Sequence, residues 1–295
     1  MSIKLDINSE LKALVSLLDE PNEDNFISVR SKISAYGIEA IALLEEASST
    51  SSDHDFIERS TDIISEIYFD LTFKALNSWS DNEGVDLMKA FLSISKMLNH
   101  DIDTAKYLAD FEKIRRDVWL ELNDNLTALE KIRVLNHVIY DYHEFEGQRT
   151  PNGDKLKLYY LDHLLDNKRG NALSLGILYL AIAQNLNLPI YGVDLPGHFV
   201  LCYLDEKINL KPVNEYNTDE VLFYLNALNK GAVFTVNEVN GFVNQMNLKP
   251  EKKYISPCSN KTIIKRLLQE VSQEVKLKGD ENKSMMLLNL VGAVH

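Results

Sequence analysis

The chain has 295 residues, 45% of them hydrophobic, which suits a soluble globular protein with one large or two ordinary packed cores. Forty-four acidic against 31 basic residues leave a formal net charge of -13, which opposes phosphate backbones and anionic membranes and so excludes nucleic acid and membrane as expected partners. Two scattered cysteines, Cys202 and Cys258, make neither a disulfide framework nor a zinc site; the first ten residues lack a basic segment leading into an apolar core, and no uncharged apolar run nears the ~20 residues that span a bilayer, so a cytoplasmic setting is expected.

From residue 9 to about 125 the pattern is helical throughout. Ser9 can cap a helix carrying Leu11, Leu14, Val15 and Leu18, which Pro21-Asn22 interrupts. A second helix with Phe26, Val29 and Ile33 ends at Gly37, a good residue just past a helix end, and residues 38–47 form a third. Helices this short, joined by tight turns, resemble HEAT-type pairs; no clean internal period separates a solenoid from a plain bundle. Residues 48–52 read as a polar linker, and Asp53 starts a long helix reaching Trp79. Further helices are expected over 85–98 and 103–122, the latter with an apolar stripe of Tyr107, Phe111, Ile114 and Val118 that reads as core.

Thr127 caps a helix over 128–143. Pro151-Asn152-Gly153-Asp154 is a loop, and 156–166 is another helix. Arg169-Gly170-Asn171 is a turn whose asparagine can cap the segment 172–187, apolar on nearly every side and therefore a buried helix. Leu188-Pro189 stops it, residues 190–193 form a strand, Leu195-Pro196-Gly197 a turn and 198–204 a second strand, with Asp205-Glu206-Lys207 leading into a hairpin strand at 208–210. Short strands at 221–225 and 232–234 complete a small antiparallel sheet, followed by helices over 236–246, 262–276 (capped by Ser259) and 281–291. The expected fold is α+β and mostly helical: a helical region over 1–126, a core domain over 127–248 and a helical tail over 249–295, whose two helices look like one tetratricopeptide-type pair docked on the domain.

The stretch from 168 to 203 is the part that reads as a site, with a single histidine placed beside the start of a buried helix. An unperturbed imidazole titrates near neutrality, so His198 is a candidate to move a proton; it can equally donate to a carbonyl at the turn. Ser174, three residues into the helix, is either a nucleophile in need of a base or a small hydroxyl bonding back within the helix. Cys202 follows His198 by four strand residues, ~13 Å, too far to pair with it. Arg169 is expected to fix the turn, with anion binding as the minority alternative. The other histidines show no metal-ligand spacing, and no phosphate-binding glycine loop occurs, so neither metal nor cofactor is expected.

Arg-Gly-Asn (169–171), the buried helix and strand after it, and Leu-Pro-Gly-His-Phe (195–199) are together similar to the transglutaminase-like superfamily, in its SirB-type branch with a tetratricopeptide-like tail. The resemblance implies a papain-like core whose catalytic members carry a cysteine at the helix start, a histidine opening the next strand and an aspartate on a further strand. His198 matches the histidine. No cysteine lies at 168–178, where Asn171, Ala172 and Ser174 are nearest the nucleophile's place. Residues 224–231, Tyr-Leu-Asn-Ala-Leu-Asn-Lys-Gly, resemble the branch's Ile-Asp-Pro-Phe-Asn-Gly-Gly segment and put Asn226 where the aspartate belongs. The resemblance therefore implies a shallow cleft with His198 facing the helix start, lined by Arg169, Gly170, Asn171 and Ala172, with Asn226 beside the histidine. The expected function is a degenerate, non-catalytic protein-interaction or regulatory module with a protein partner. The alternative is a hydrolase or acyl-transfer enzyme using Ser174 and His198.

Overall fold

A computed structural model describes residues 2–148, 154–205, 218–249 and 251–295. The chain divides into two compact units, Met1–Ala75 and Leu76–His295, the division falling within a long helix.

The first unit holds α1 (Ser2–Val15), α2 (Glu23–Ala35), α3 (Ile38–Thr50) and most of α4 (His54–Asp81). Ser9 is not a cap: with no glycine or proline before it, α1 runs back to Ser2 and Ser9 lies in its interior. The cap of α2 is Asn22, whose side chain accepts from the Asn25 N–H, and Gly37 takes the left-handed φ of +60° that ends the segment. α3 absorbs three residues of the expected linker, because the hydroxyls of Ser49 and Thr50 bond back to the Glu46 carbonyl and keep the last turn closed. The core of this unit is mainly aliphatic, and Arg59 braces it, its guanidinium 4.1 Å from the centre of the Phe26 ring and donating to the carbonyls of Leu18 and Glu20.

In the second unit, Asp86 caps α5 (Leu87–Leu98) and Asp103 caps α6 (Thr104–Glu121). Thr127 and Glu130 form a capping box at the head of α7 (Ala128–Asn136), whose continuation His137–Tyr142 winds as a π-helix. After β1 (Glu146–Gly147), the expected helix at 156–166 is split. A 3-10 segment, Lys155–Tyr159, ends at the extended Tyr160, which begins α8 (Leu161–Asn167). β2 (Arg169–Gly170) pairs with β1 over two residues, in parallel. α9 (Ala172–Asn185) is the buried helix anticipated from its all-round apolarity, packed on α5, α6, α8 and the sheet.

The main sheet is antiparallel, in the order β3 (Ile190–Val193), β4 (Val200–Leu204), β5 (Val221–Asn226), β6 (Ala232–Phe234). β4 begins two residues later than expected, so His198 precedes the strand and belongs to the turn. The expected strand at 208–210 and the loop residues 151–153 lie outside the described residues. α10 (Val236–Gln245), α11 (Asn260–Leu277) and α12 (Glu281–Leu290) follow. Asn260, at the start of α11, exchanges amide bonds with Gln184 of α9 and donates to the carbonyls of Gly84 and Val85, which ties α11 to α9 and to the turn before α5. No helix among the described residues is long and apolar enough to cross a membrane.

Candidate functional site

The head of α9 is built from short-range hydrogen bonds. Asn171 is the cap: its Oδ1 accepts from the N–H groups of Leu173 and Ser174 at 3.0 and 2.9 Å, and the Ser174 Oγ accepts in return from the Asn171 N–H at 3.1 Å. This reciprocal pair satisfies three donors that a helix start otherwise leaves open. Ser174 is thereby fully buried and its oxygen engaged with the backbone. Gly170 is required just before it, since a Cβ there would fall 2.7 Å from both the Ser174 Oγ and a Leu164 methyl. Arg169 points to a different surface, pairing with Glu146 at 2.7 Å and donating to the Glu144 carbonyl. It lines a separate small depression with Tyr140 and Lys168.

His198 ends a tight turn. Its N–H donates to the Leu195 carbonyl at 3.1 Å, and Gly197 supplies the positive φ of +66° that the turn demands. Arg266 of α11 holds the same turn from the other side, donating to Asp194 Oδ1 at 2.6 Å and the Leu195 carbonyl at 2.9 Å, while its Nε donates to Glu270 at 2.7 Å. The imidazole lies 5.3 Å from the Phe242 ring, and Asn226, at the end of β5, places its Nδ2 3.4 Å from His198 Nε2.

The loop carrying Asn226 is pinned from below. Asn136, the last residue of α7, donates to the Gly231 carbonyl at 3.1 Å and accepts from the Tyr179 hydroxyl at 3.0 Å. Tyr140, in the π-helical turn, donates to the Ala227 carbonyl at 2.8 Å. Gly231 has a φ of +67°, and a Cβ on it would overlap the Asn136 amide at 2.0 Å.

These elements enclose a cleft of about 1830 Å³. Asn171 and Ala172 form one wall with Leu173; His198 and its turn form another; Leu228 and Phe242 add apolar surface, and one face of α11 and the segment leading into it, from Lys253 to Ser259, supply further lining. The structure therefore brings Asn171, Ala172 and His198 to one cavity, with Asn226 behind the histidine. Ser174 is not among the residues lining it, and Gly170 is buried beneath. The sequence reading missed the α11 face, including Arg266, although Arg266 and Glu270 stand at a helical spacing that already marks an ion pair.

Neither thiol is poised to react. Cys202 is buried in β4, and burial pushes its thiol well above the usual range. Cys258 lines the cleft, but burial, with the Asp194 charge adding to it, pushes its thiol up to about 12. Among the described residues, the single cluster with metal-ligand spacing is His54, Asp55 and Glu58, all exposed on the first turn and a half of α4 and remote in sequence from the cleft.

This arrangement, a buried helix capped at a cleft, a histidine on the turn before a strand of an antiparallel sheet and an amide beside the ring, matches a known class. Residues 105–269, more than half of the chain, match the transglutaminase-like superfamily, and the chain belongs to it. A UPF0162 protein of Buchnera aphidicola subsp. Baizongia pistaciae is 30% identical over 142 residues, which are 48% of this chain and 52% of that protein. F-box only protein 21 of Homo sapiens and of Pongo abelii are each 33% identical over 113 residues, 38% of this chain and 17% of theirs. The chain thus spans about half the length of the bacterial relative it matches and a far smaller share of the other two. No solved structure matches.

Proposed function

We propose that the protein is a non-catalytic transglutaminase-like module that holds a segment of a partner protein in the cleft beside His198. It is read as a cytoplasmic member of the SirB-type branch, with α11 and α12 as its tetratricopeptide-like tail. The observation that carries this reading is the head of α9. The residues it presents to the cleft are Asn171, Ala172 and Leu173, none of which can attack a carbonyl, and the hydroxyl of that first turn, on Ser174, is buried in the capping box. Using Ser174 as a nucleophile would require opening the first turn of the helix. In F-box only protein 21 the matching segment is a minor part of a longer chain, which supports a module joined to other functions rather than a self-contained enzyme.

The test is direct. The full chain is incubated with a fluorophosphonate probe, with iodoacetamide at neutral pH, and with a glutamine peptide plus a lysine donor. The expected outcome is no labelling at Ser174, no fast alkylation at Cys258, and no isopeptide product. Labelling that disappears in Ser174→Ala, or isopeptide formation that disappears in His198→Ala, would restore the enzymatic reading.

A further inference from the structure

Within that reading, the charge of the cleft identifies the kind of segment it takes. The chain as a whole is strongly acidic, yet the cleft lining carries five basic against four acidic side chains. Most of these charges are already neutralised by one another. Lys155 pairs with Glu274, and Arg266 with both Asp194 and Glu270. Lys261 and Lys265 are different: both line the cleft, both are partly buried, and neither has an ion pair among the described residues.

The two lysines lie four residues apart on α11, and Gln269 and Gln273 continue the same row, so two cations and two amides form one ridge along the cleft. The ridge spans 12 residues of rise, roughly 18 Å at ~1.5 Å per residue. An extended strand covers that length with about five or six residues. The positive end of the α9 dipole, at Asn171 and Ala172, faces the same space. Pro196, Leu228 and Phe242 add apolar surface to the lining. The volume, about 1830 Å³, exceeds the roughly 300–1,000 Å³ of an ordinary small-molecule pocket.

We propose that the cleft binds an extended acidic peptide segment of a partner, carboxylates toward the Lys261 and Lys265 ridge and alternate apolar side chains toward the remaining lining. A segment of this kind alternates faces every residue, as a ridge beside an apolar wall requires. A densely charged polyanion is disfavoured, because the net charge of -13 repels it beyond the two local lysines.

The experiment measures fluorescence anisotropy of the full chain with three fluorescein-labelled peptides of Glu-Leu-Glu-Gly repeats and their Gln and Lys counterparts. The glutamate peptide is expected to bind about fivefold or more tighter than the glutamine one, with the gap closing at high salt. The double variant K261Q/K265Q is expected to lower glutamate-peptide affinity about three- to tenfold with an unchanged melting curve, and K261R/K265R to retain it. Equal or tighter binding of the glutamine or lysine peptide overturns the proposal, as does absence of binding by the glutamate peptide. A mass spectrum after incubation separates the two readings: a cleaved or acylated peptide sinks the non-catalytic function, whereas intact peptide bound without charge preference sinks the acidic specificity alone.

Discussion

Asn226 meets His198 through its amide nitrogen, 3.4 Å from Nε2, while its own Oδ1 accepts from the Asn229 N–H at 3.3 Å. The backbone bond sets the orientation of the amide, so the group facing the ring is a donor. The orienting group of a papain-like triad has the opposite polarity, accepting from an imidazole N–H. A donor at Nε2 requires a lone pair there and leaves the ring proton on Nδ1. Nitrogen-15 NMR of the imidazole should accordingly report the Nδ1–H tautomer. Asn226→Asp replaces the donor by an acceptor without disturbing the Asn229 bond, and is expected to move the proton to Nε2. The same tautomer in both proteins would contradict this geometry.

Ser174 is a second test of what the site is for. Loss of its hydroxyl removes one arm of the capping box and leaves the Asn171 N–H buried beside α9. Ser174→Ala is expected to cost about 0.5–2 kcal/mol in urea unfolding, with no change in peptide binding. A variant that lost binding while keeping its stability would place the hydroxyl in the cleft.

Asn136 and Gly231 should couple. Gly231→Ala meets both a left-handed φ and the Asn136 amide, and a loss of about 2–4 kcal/mol is expected. Asn136→Ala alone leaves the buried Tyr179 hydroxyl and the Gly231 carbonyl without their partner, at about 1–3 kcal/mol. The double variant relieves the overlap, so its loss should fall short of the sum by on the order of 1 kcal/mol. Additive losses would mean that the Gly231 cost lies in its backbone conformation alone.

Arg266 holds the His198 turn by bonds to Asp194 and the Leu195 carbonyl that a lysine cannot make together with the Glu270 bond. Arg266→Lys should therefore keep the charge and still lose about 1–2 kcal/mol of stability. Its further signature is a change in the His198 ring resonances, which a purely remote packing defect would leave alone.

Three histidines make stability depend on pH. His100, His143 and His163 are each held below the ordinary value of 6.5, in every case chiefly by burial; at His143 the bond to Asp117 offsets this only in part. Because the folded values are lowered, the unfolded chain binds more protons as pH falls through about 6.5, and the folded state loses ground. The urea midpoint is expected to drop between pH 7.5 and pH 5.5, and His143→Gln to remove part of that drop. A midpoint that stayed level or rose on acidification would contradict the burial of these rings.

Local chemistry was readable where one residue decides the outcome. Thr127, Asn171 and Ser259 cap the helices they were expected to cap, because a side-chain oxygen before an apolar run has few other uses. The all-round apolarity of α9 likewise announced its burial. What escaped the reading depends on distance in the chain. The turn bearing His198 is held by Arg266, 68 positions on, and the loop bearing Asn226 by Asn136, 90 positions back, and no local pattern records such pairings. The split at Tyr160 and the polarity of Asn226 escaped for a related reason, since each is settled by backbone geometry that residue types leave open.

The π-helical turn at His137–Tyr142 has a consequence for changes in chain length. Such a turn accommodates one residue more than a regular helix would, so shortening this segment by one position has an ordinary α-helix as its natural product, whereas elsewhere in α7 a deletion shifts the whole register. The repaired turn would nonetheless re-aim the side chains inside it, carrying the Tyr140 hydroxyl off the Ala227 carbonyl. A lineage that lost this residue would gain regularity in the helix and lose the anchor beneath Asn226. The irregular turn and the amide beside His198 are therefore expected to be inherited, or discarded, together.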